Sequence, residues 1–448
     1  MAGFVPYLAI LAPFVAALLY VRAYGVNVFY ADEWDLVPLL RESTRGTLGI
    51  ADLLVHHNGH VYLFPWGLTL LLGGLTGYDT VPLMYVVAFC LLATSLAIFY
   101  AYAKSVGRSP LACLLFLPVP LLLLSFRQHE NLLWGNQISF AFAQTFSVFA
   151  LCLLFAASDG RHGRLAFPAA ALCAVVASCS AAPGLLAWPA GLVLLLISPT
   201  DGRPVRKVHA GAWGLLGAAV WVLYLAGPGG SGPSPSLALG DPASWAGYLL
   251  ALSGGSLFWS GLMVLAAGAL LILLAVAALA LTLASGRTGE NAFWISLGTF
   301  SLLSLALIAA GRSGLGEEAF ARAVASRYAA FSIPGVVALY CFLANLVLKA
   351  GSRVATGLLV LLAAAMLTGV VYSYPRGMEA GREIEDSREQ AARIMLAHEK
   401  EPLAAFTIFG HDPRRVQGYA RYLDRHDYGV FNGEPAGARG ELGLRRHR

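Results

Sequence analysis

Three polar stretches of this chain carry the side chains able to do chemistry, and each lies against an apolar block. The first reads Tyr30-Ala-Asp-Glu-Trp-Asp35 and begins soon after the first apolar block ends. It sets Asp32, Glu33 and Asp35 around a tryptophan. A carboxylate at the edge of an apolar phase has its charged form penalised, which raises its pKa towards the working range of a general base. The same position suits a metal ligand, and the bland alternative is an interfacial tryptophan among solvated acids. Downstream, His56-His-Asn-Gly-His60 spaces His56 and His60 at i, i+4, which on a helix would suit a divalent metal. Gly59 interrupts such a helix, and no third ligand is spaced to match. The stronger expectations are hydrogen bonding of a substrate by His57 and His60, or plain loop structure, with no cofactor.

The second stretch, Arg127-Gln-His-Glu-Asn-Leu-Leu-Trp-Gly-Asn-Gln137, is more than a turn requires. It offers Arg127, His129, Glu130, Asn131, Trp134 and Gln137 as candidate substrate-binding groups. Gln137 and Gln144 stand seven apart, so polar groups continue along one face of the next helix. Polar groups at membrane depth commonly line a cavity or pathway. The third stretch is Ala325-Ser-Arg-Tyr328, with Arg312 and Arg322 upstream. The planar fork of Arg327, beside Tyr328, fits a phosphate or pyrophosphate; it fits lipid headgroups as well.

The elements that must position these groups are transmembrane helices. Of 448 residues 58% are hydrophobic and 12% charged, and the mean hydropathy is +0.68. A soluble protein carries about a quarter charged residues. Apolar blocks fall at 4–21, 81–103, 110–125, 138–157, 165–181, 184–198, 209–227, 258–284, 292–310, 329–348 and 354–372. Most have the length that crosses a hydrocarbon layer of about 30 Å. The pattern predicts an all-α polytopic membrane protein of about eleven spans. Pro118, Pro120 and Pro183 mark places where spans break. Every second connection is basic: Lys104 and Arg108; Arg161 and Arg164; Arg203, Arg206 and Lys207; Arg287; Lys349 and Arg353. By the positive-inside rule those face the cytoplasm. The amino terminus is then inside. Segments 22–80, 126–137, 228–257 and 311–328, and the tail from 373, lie outside. All three reactive stretches share that outer face.

Segment 22–80 is expected to hold one or two helices lying along the interface, because 53–55 and 62–72 are apolar between polar turns. The chain divides into a membrane domain, 1–373, and a small tail, 374–448, that packs on it rather than folding alone. In the tail, Ile384, Ala391, Ile394 and Met395 predict an amphipathic helix within 377–400; 403–409 reads as a strand or interface-lying piece, 414–428 as a second short helix, and the end from Gly433 as disordered. All six cysteines lie in or beside apolar blocks as packing residues. No nucleotide-binding loop is legible on the cytoplasmic side. The net charge of +5 sits in short loops, so nucleic acid is not an expected partner.

An Asp-Glu pair after the first span, a His-x-x-x-His stretch, a Glu-Asn-Leu-Leu-Trp-Gly-x-Gln segment and a Ser-Arg-Tyr, in this order, resemble the bacterial GT-C glycosyltransferase-like membrane proteins. The resemblance covers the membrane domain and, through Asp412-Pro and the 422–431 pattern, the tail. It implies a GT-C-like bundle in the inner membrane. It also implies transfer of a sugar from a polyprenyl-phosphate-linked donor to a lipid, glycan or protein acceptor on the outer face. By position, Asp32 or Glu33 resembles the catalytic carboxylate, with Asp32 the nearer to the span; Glu130 resembles an assisting group and Arg327 a binder of the lipid phosphate. Relatives often carry arginine where this chain has Val61 and Trp66, which moves phosphate binding to Arg127 and Arg327. A glycolipid transporter or non-catalytic relative, and a polymerase or ligase of lipid-linked oligosaccharides, are the alternatives.

Overall fold

The computed structural model describes residues 5–157, 163–198, 203–228, 240–313 and 322–433. The expected disorder of the extreme carboxy end and the loop holding Arg161 fall outside the described residues. Without water, a backbone must satisfy its hydrogen bonds internally, and the apolar blocks do so as helices. They are α1 (Val5–Tyr24), α2 (Leu36–Arg45), α3 (Leu63–Thr76), α4 (Val81–Ser105), α5 (Ile138–Ala157), α6 (Gly163–Ser178), α7 (Ala187–Ile197), α8 (Arg203–Leu225), α9 (Pro242–Gly254), α10 (Leu262–Ala284), α11 (Ala292–Arg312), α12 (Ala329–Ala350), α13 (Arg353–Leu396) and α14 (Pro413–Arg425). A two-stranded hairpin, β1 (His56–His57) with β2 (His60–Val61), is the one sheet among the described residues.

The fold is all-α and polytopic. Among the described residues nine helical stretches are long and apolar enough to cross a membrane. α6, α7 and α3 are shorter apolar helices. Leucines such as Leu215, Leu273 and Leu361 point outward, as a lipid-facing surface requires. Proline sets the breaks: 110–132 is a chain of short pieces, Pro110–Leu115, Pro118–Leu123, Phe126–Gln128 and His129–Leu132. A 3₁₀ turn, Ala182–Leu186, likewise separates α6 from α7. One departure falls in 228–257, which reads as an outer loop. It contains α9, whose Tyr248, Ala251 and Leu252 are buried against the bundle. Gly254 of α9 and Gly268 of α10 let the two helices pack tightly there.

Segment 22–80 holds α2 and α3. The 14 residues of α3 rise only about 21 Å, short of a hydrocarbon layer. The last span and the amphipathic tail helix are one continuous helix, α13, of 44 residues. At about 66 Å it is twice as long as a membrane is thick, so its polar half stands clear of the apolar half. Gly377 makes the approach of that half possible: a Cβ there would lie 2.3 Å from Cβ of Phe126. Tyr20 of α1 donates its hydroxyl to the Gly377 carbonyl at 2.6 Å.

Beyond α13, 403–409 is a 3₁₀ helix and not a strand, because Phe406 and Phe409 must both turn inward. They enter a core shared with the first loop, in which Trp34, fully buried, meets Phe409 edge-on at 5.5 Å and stacks on Tyr419. Leu40 of α2, Met395 of α13 and Leu423 of α14 complete it. Tail and loop thus fold together around one hydrophobic core. Phe409→Ala is expected to cost this unit about 3–5 kcal/mol. Limited proteolysis of the folded variant should cut within 397–433 much faster than in the wild type; unchanged protection would contradict the shared core.

Candidate functional site

The turn after α1 separates its two acids. Tyr30 is extended, Ala31 adopts a left-handed φ of +47°, and Ala31–Asp35 then closes as a 3₁₀ turn. A left-handed alanine costs about 1–2 kcal/mol, held here by what the acids do next. Glu33 turns inward, where its Oε2 accepts the Tyr30 N–H at 2.9 Å and its Oε1 the Asn136 N–H at 3.0 Å. Gly135, just before Asn136, leaves room for the carboxylate: a Cβ there would sit 2.9 Å from Oε1 and 3.2 Å from the Thr80 carbonyl oxygen. One carboxylate therefore ties the first loop to the 126–137 stretch. Burial pushes the Glu33 carboxyl up to about 7, against the opposing pull of the Tyr30 N–H and the Arg388 charge.

Asp32 turns the other way, into a cavity of about 660 Å³. Among the described residues its hydrogen-bonding neighbour is Asn58, whose Nδ2 donates to Oδ1 at 3.1 Å. Asn58 and Gly59 have φ of +51° and +78°, the two-residue turn that joins β1 to β2. The hairpin therefore positions the asparagine that positions the acid. Burial raises the Asp32 carboxyl above the usual range, and Asp35 adds to this; Arg312, Arg327 and Asn58 pull it back.

The far wall comes from two other stretches. Glu130 accepts from Arg327 Nη1 at 2.8 Å, from the Arg327 N–H at 3.0 Å and from the Ser326 hydroxyl at 3.1 Å. Trp134, Gln137, Tyr328 and His60 also face the cavity. His60 Nδ1 accepts the Ala182 N–H at 3.2 Å. Burial and the Arg312 charge push its pKa down to about 4, so near neutrality it is uncharged with its proton on Nε2. The fourth wall is the polar half of α13, which contributes Glu383, Ser387 and Arg388. The Arg388 guanidinium lies 3.1 Å from the centre of the Tyr30 ring.

Asp32, His60, Glu130, Trp134, Gln137, Arg327 and Tyr328 thus converge from four separate segments. Five expected site residues stand elsewhere. Glu33 is the tie described above. Arg127 does not reach the cavity: its Nε donates to the Gly255 carbonyl at 2.7 Å and its Nη2 to the Val324 carbonyl at 2.6 Å. Those bonds, and Trp259 beneath the guanidinium, use the residue to join α9 to the third reactive stretch. His129 stacks flat on the same Trp259. Asn131 donates to the Arg327 carbonyl at 3.2 Å and to Gln128 Oε1 at 2.9 Å, supporting the Arg327 turn from behind. His57 packs edge-on against Trp66, with its pKa lowered by burial. Among the described residues no three His, Cys, Asp or Glu side chains gather as a metal site would need.

Sequence reasoning missed Asn58, Arg312 and Arg388 as cavity residues. Asn58-Gly59 is the hairpin signature, and it reads as a broken helix only if the i, i+4 histidines are weighed first. Arg388 stands four residues after Ile384 on the same helical face, which is the signal that points it inward with its neighbour.

Because the folded Glu33 holds its proton more tightly than an unfolded glutamate, the stability this brings is complete below pH 4.5 and lost as pH rises to about 7. The shift corresponds to about 3 kcal/mol. Melting curves of wild type and Glu33→Gln should therefore diverge between those limits, the variant staying flat while the wild type falls. Parallel curves would contradict the buried tie.

Comparison of the chain with protein families, with curated proteins and with solved structures finds no match.

Proposed function

We propose that this chain is a membrane glycosyltransferase of the GT-C type. It takes a sugar from a polyprenyl-phosphate-linked donor and passes it to a lipid or glycan acceptor on the outer face of a bacterial inner membrane. The observation that carries the reading is Asp32, a partly desolvated carboxylate facing a cavity that also presents Arg312, Arg327 and Arg388, with Glu130 paired to Arg327 and Glu383 on the α13 wall. Acid chemistry and phosphate recognition are thereby offered in one place. The cavity volume suits a sugar and its phosphate. In this reading α6 and α7 complete about eleven spans in a GT-C-like bundle. The basic connections face the cytoplasm, and the cavity and tail lie outside; a reporter fused after Gly410 that read cytoplasmic would overturn that orientation.

The chemistry is a single displacement. Asp32 removes the proton of the acceptor hydroxyl, and that oxygen bonds to the anomeric carbon. The bond from that carbon to the phosphate oxygen breaks, its electron pair leaving with polyprenyl phosphate. Positive charge on the cavity wall stabilises the departing anion, and it is worth more where water is scarce. The donor is already activated as a phosphodiester, so no nucleotide is consumed. Neutral His60 and Gln137 serve as hydrogen-bond partners for sugar hydroxyls, and Trp134 as a flat apolar surface for the ring. A polymerase or ligase of lipid-linked oligosaccharides would run the same step with a larger acceptor.

In proteoliposomes supplied with a polyprenyl-phosphate sugar, Asp32→Asn is expected to slow transfer by about 10² to 10⁴ with donor binding kept. Glu33→Gln, which keeps the shape of a protonated carboxyl, should lose far less. Wild-type rates from Asp32→Asn would end the general-base reading.

A further inference from the structure

The cavity holds three guanidinium groups, and they are not equivalent. Arg327, which the Ser-Arg-Tyr pattern singles out, is bound through Nη1 and through its own backbone N–H to Glu130. Its charge is therefore matched by a carboxylate 2.8 Å away, and its position fixed by two bonds. Arg388 lies against the Tyr30 ring with Glu33 as its electrostatic partner. Arg312, at the carboxy-terminal end of α11, lines the cavity, and among the described residues no carboxylate forms an ion pair with it. Arg312 thus faces a partly open cavity with no carboxylate bonded to its fork among the described residues, and its charge reaches Asp32 only at a distance. The interior would gain most from an anion at that point.

Resting on the glycosyltransferase reading, we propose that Arg312 is the residue that binds the donor phosphate, and that Arg327 is a positioning residue locked to Glu130. Charge bookkeeping explains the division. When a sugar phosphodiester enters, its negative charge meets Arg312 directly. To reach Arg327 it would have to compete with Glu130 for a guanidinium already engaged. Asp32 lies under the influence of both arginines, with Arg312 the stronger of the two. The same cation therefore draws in the phosphate and, before the donor arrives, pulls against the burial that raises the Asp32 carboxyl. After the displacement the leaving phosphate carries one more negative charge than the diester, so the attraction to Arg312 grows along the reaction.

The test is binding of undecaprenyl phosphate to the full chain in nanodiscs, with undecaprenol as the uncharged control and inorganic phosphate as competitor. Arg312→Gln should weaken undecaprenyl phosphate by about tenfold or more, towards the affinity for undecaprenol. Arg312→Lys should restore part of the loss, because the charge returns without the fork. The double variant Glu130→Gln, Arg327→Gln removes the pair together and should retain most of the phosphate preference. Displacement by millimolar inorganic phosphate would assign the site to free phosphate as well as lipid; its failure keeps the lipid as the ligand. Wild-type affinity in Arg312→Gln, loss confined to the double variant, or equal binding of phosphate and alcohol by the wild type would each overturn the assignment. Melting temperature and size-exclusion profile identify a variant that has not folded, and Arg312→Lys then decides. Binding through Arg312 without any sugar transfer would sink the enzyme reading alone. Transfer with an unchanged donor KM in Arg312→Gln would sink the present inference alone.

Discussion

A carboxylate placed out of reach of water has to be given donors, and Glu33 receives them from two segments about a hundred residues apart in sequence. Its oxygens take one N–H from the turn that carries it and one from the stretch that carries Glu130. Everything that faces the cavity hangs from that joint. With Glu33 turned inward, Asp32 must turn outward, since neighbouring residues of a tight turn cannot share a direction. With Asn136 held, Trp134 and Gln137 are set on the opposite wall, and Glu130 is brought within reach of the Arg327 turn. The apolar core beneath, from Trp34 to Phe409, keeps the joint dry and adds the tail to it.

The resulting cavity concentrates opposite charges without letting them all neutralise one another. Glu130 and Arg327 cancel, whereas Asp32 is restrained by an asparagine and not by an arginine. An amide donor leaves the carboxylate able to accept a proton; a direct ion pair would hold it ionised and idle. Burial supplies the upward pull on its pKa and the surrounding guanidinium charge the downward one, and burial is the larger, so the carboxyl stands above its ordinary value. The continuous α13 makes this possible by carrying Arg388 beyond its apolar half into the cavity wall.

Much of the architecture was legible from hydropathy, because a helix that must cross lipid has no polar way of hiding. The proline breaks at Pro118 and Pro183 were equally readable, and so was α3 from the apolar 62–72; α2 lies at 36–45, ahead of the stretches that pointed to a helix. The helical pattern of the tail around Ile394 was readable as well, whereas reading 403–409 as a strand or interface-lying piece missed that Phe406 and Phe409 enter a core shared with the first loop. At the site, Asp32, Glu130 and Arg327 do meet, although they stand almost three hundred residues apart end to end. Residue type alone misplaced Arg127 and His129. An arginine between two apolar blocks reads the same whether it faces a ligand or binds carbonyls, and only the partners at Gly255 and Val324 decide. Arg312 could not be assigned for the converse reason: nothing local distinguishes an end-of-span arginine that meets lipid headgroups from one that lines a cavity, whereas Arg388 was signalled by its place one turn after Ile384.

The central claim is that the cavity between Asp32 and the arginines receives a phosphate-linked sugar. A structure of the Asp32→Asn protein in nanodiscs, determined with a polyprenyl-phosphate sugar present, tests it most directly. The account predicts the anomeric carbon beside residue 32, the phosphate against the guanidinium groups, and the prenyl chain leaving towards the bilayer. A cavity that stays empty at saturating donor, or a headgroup bound on another face of the bundle, would contradict it.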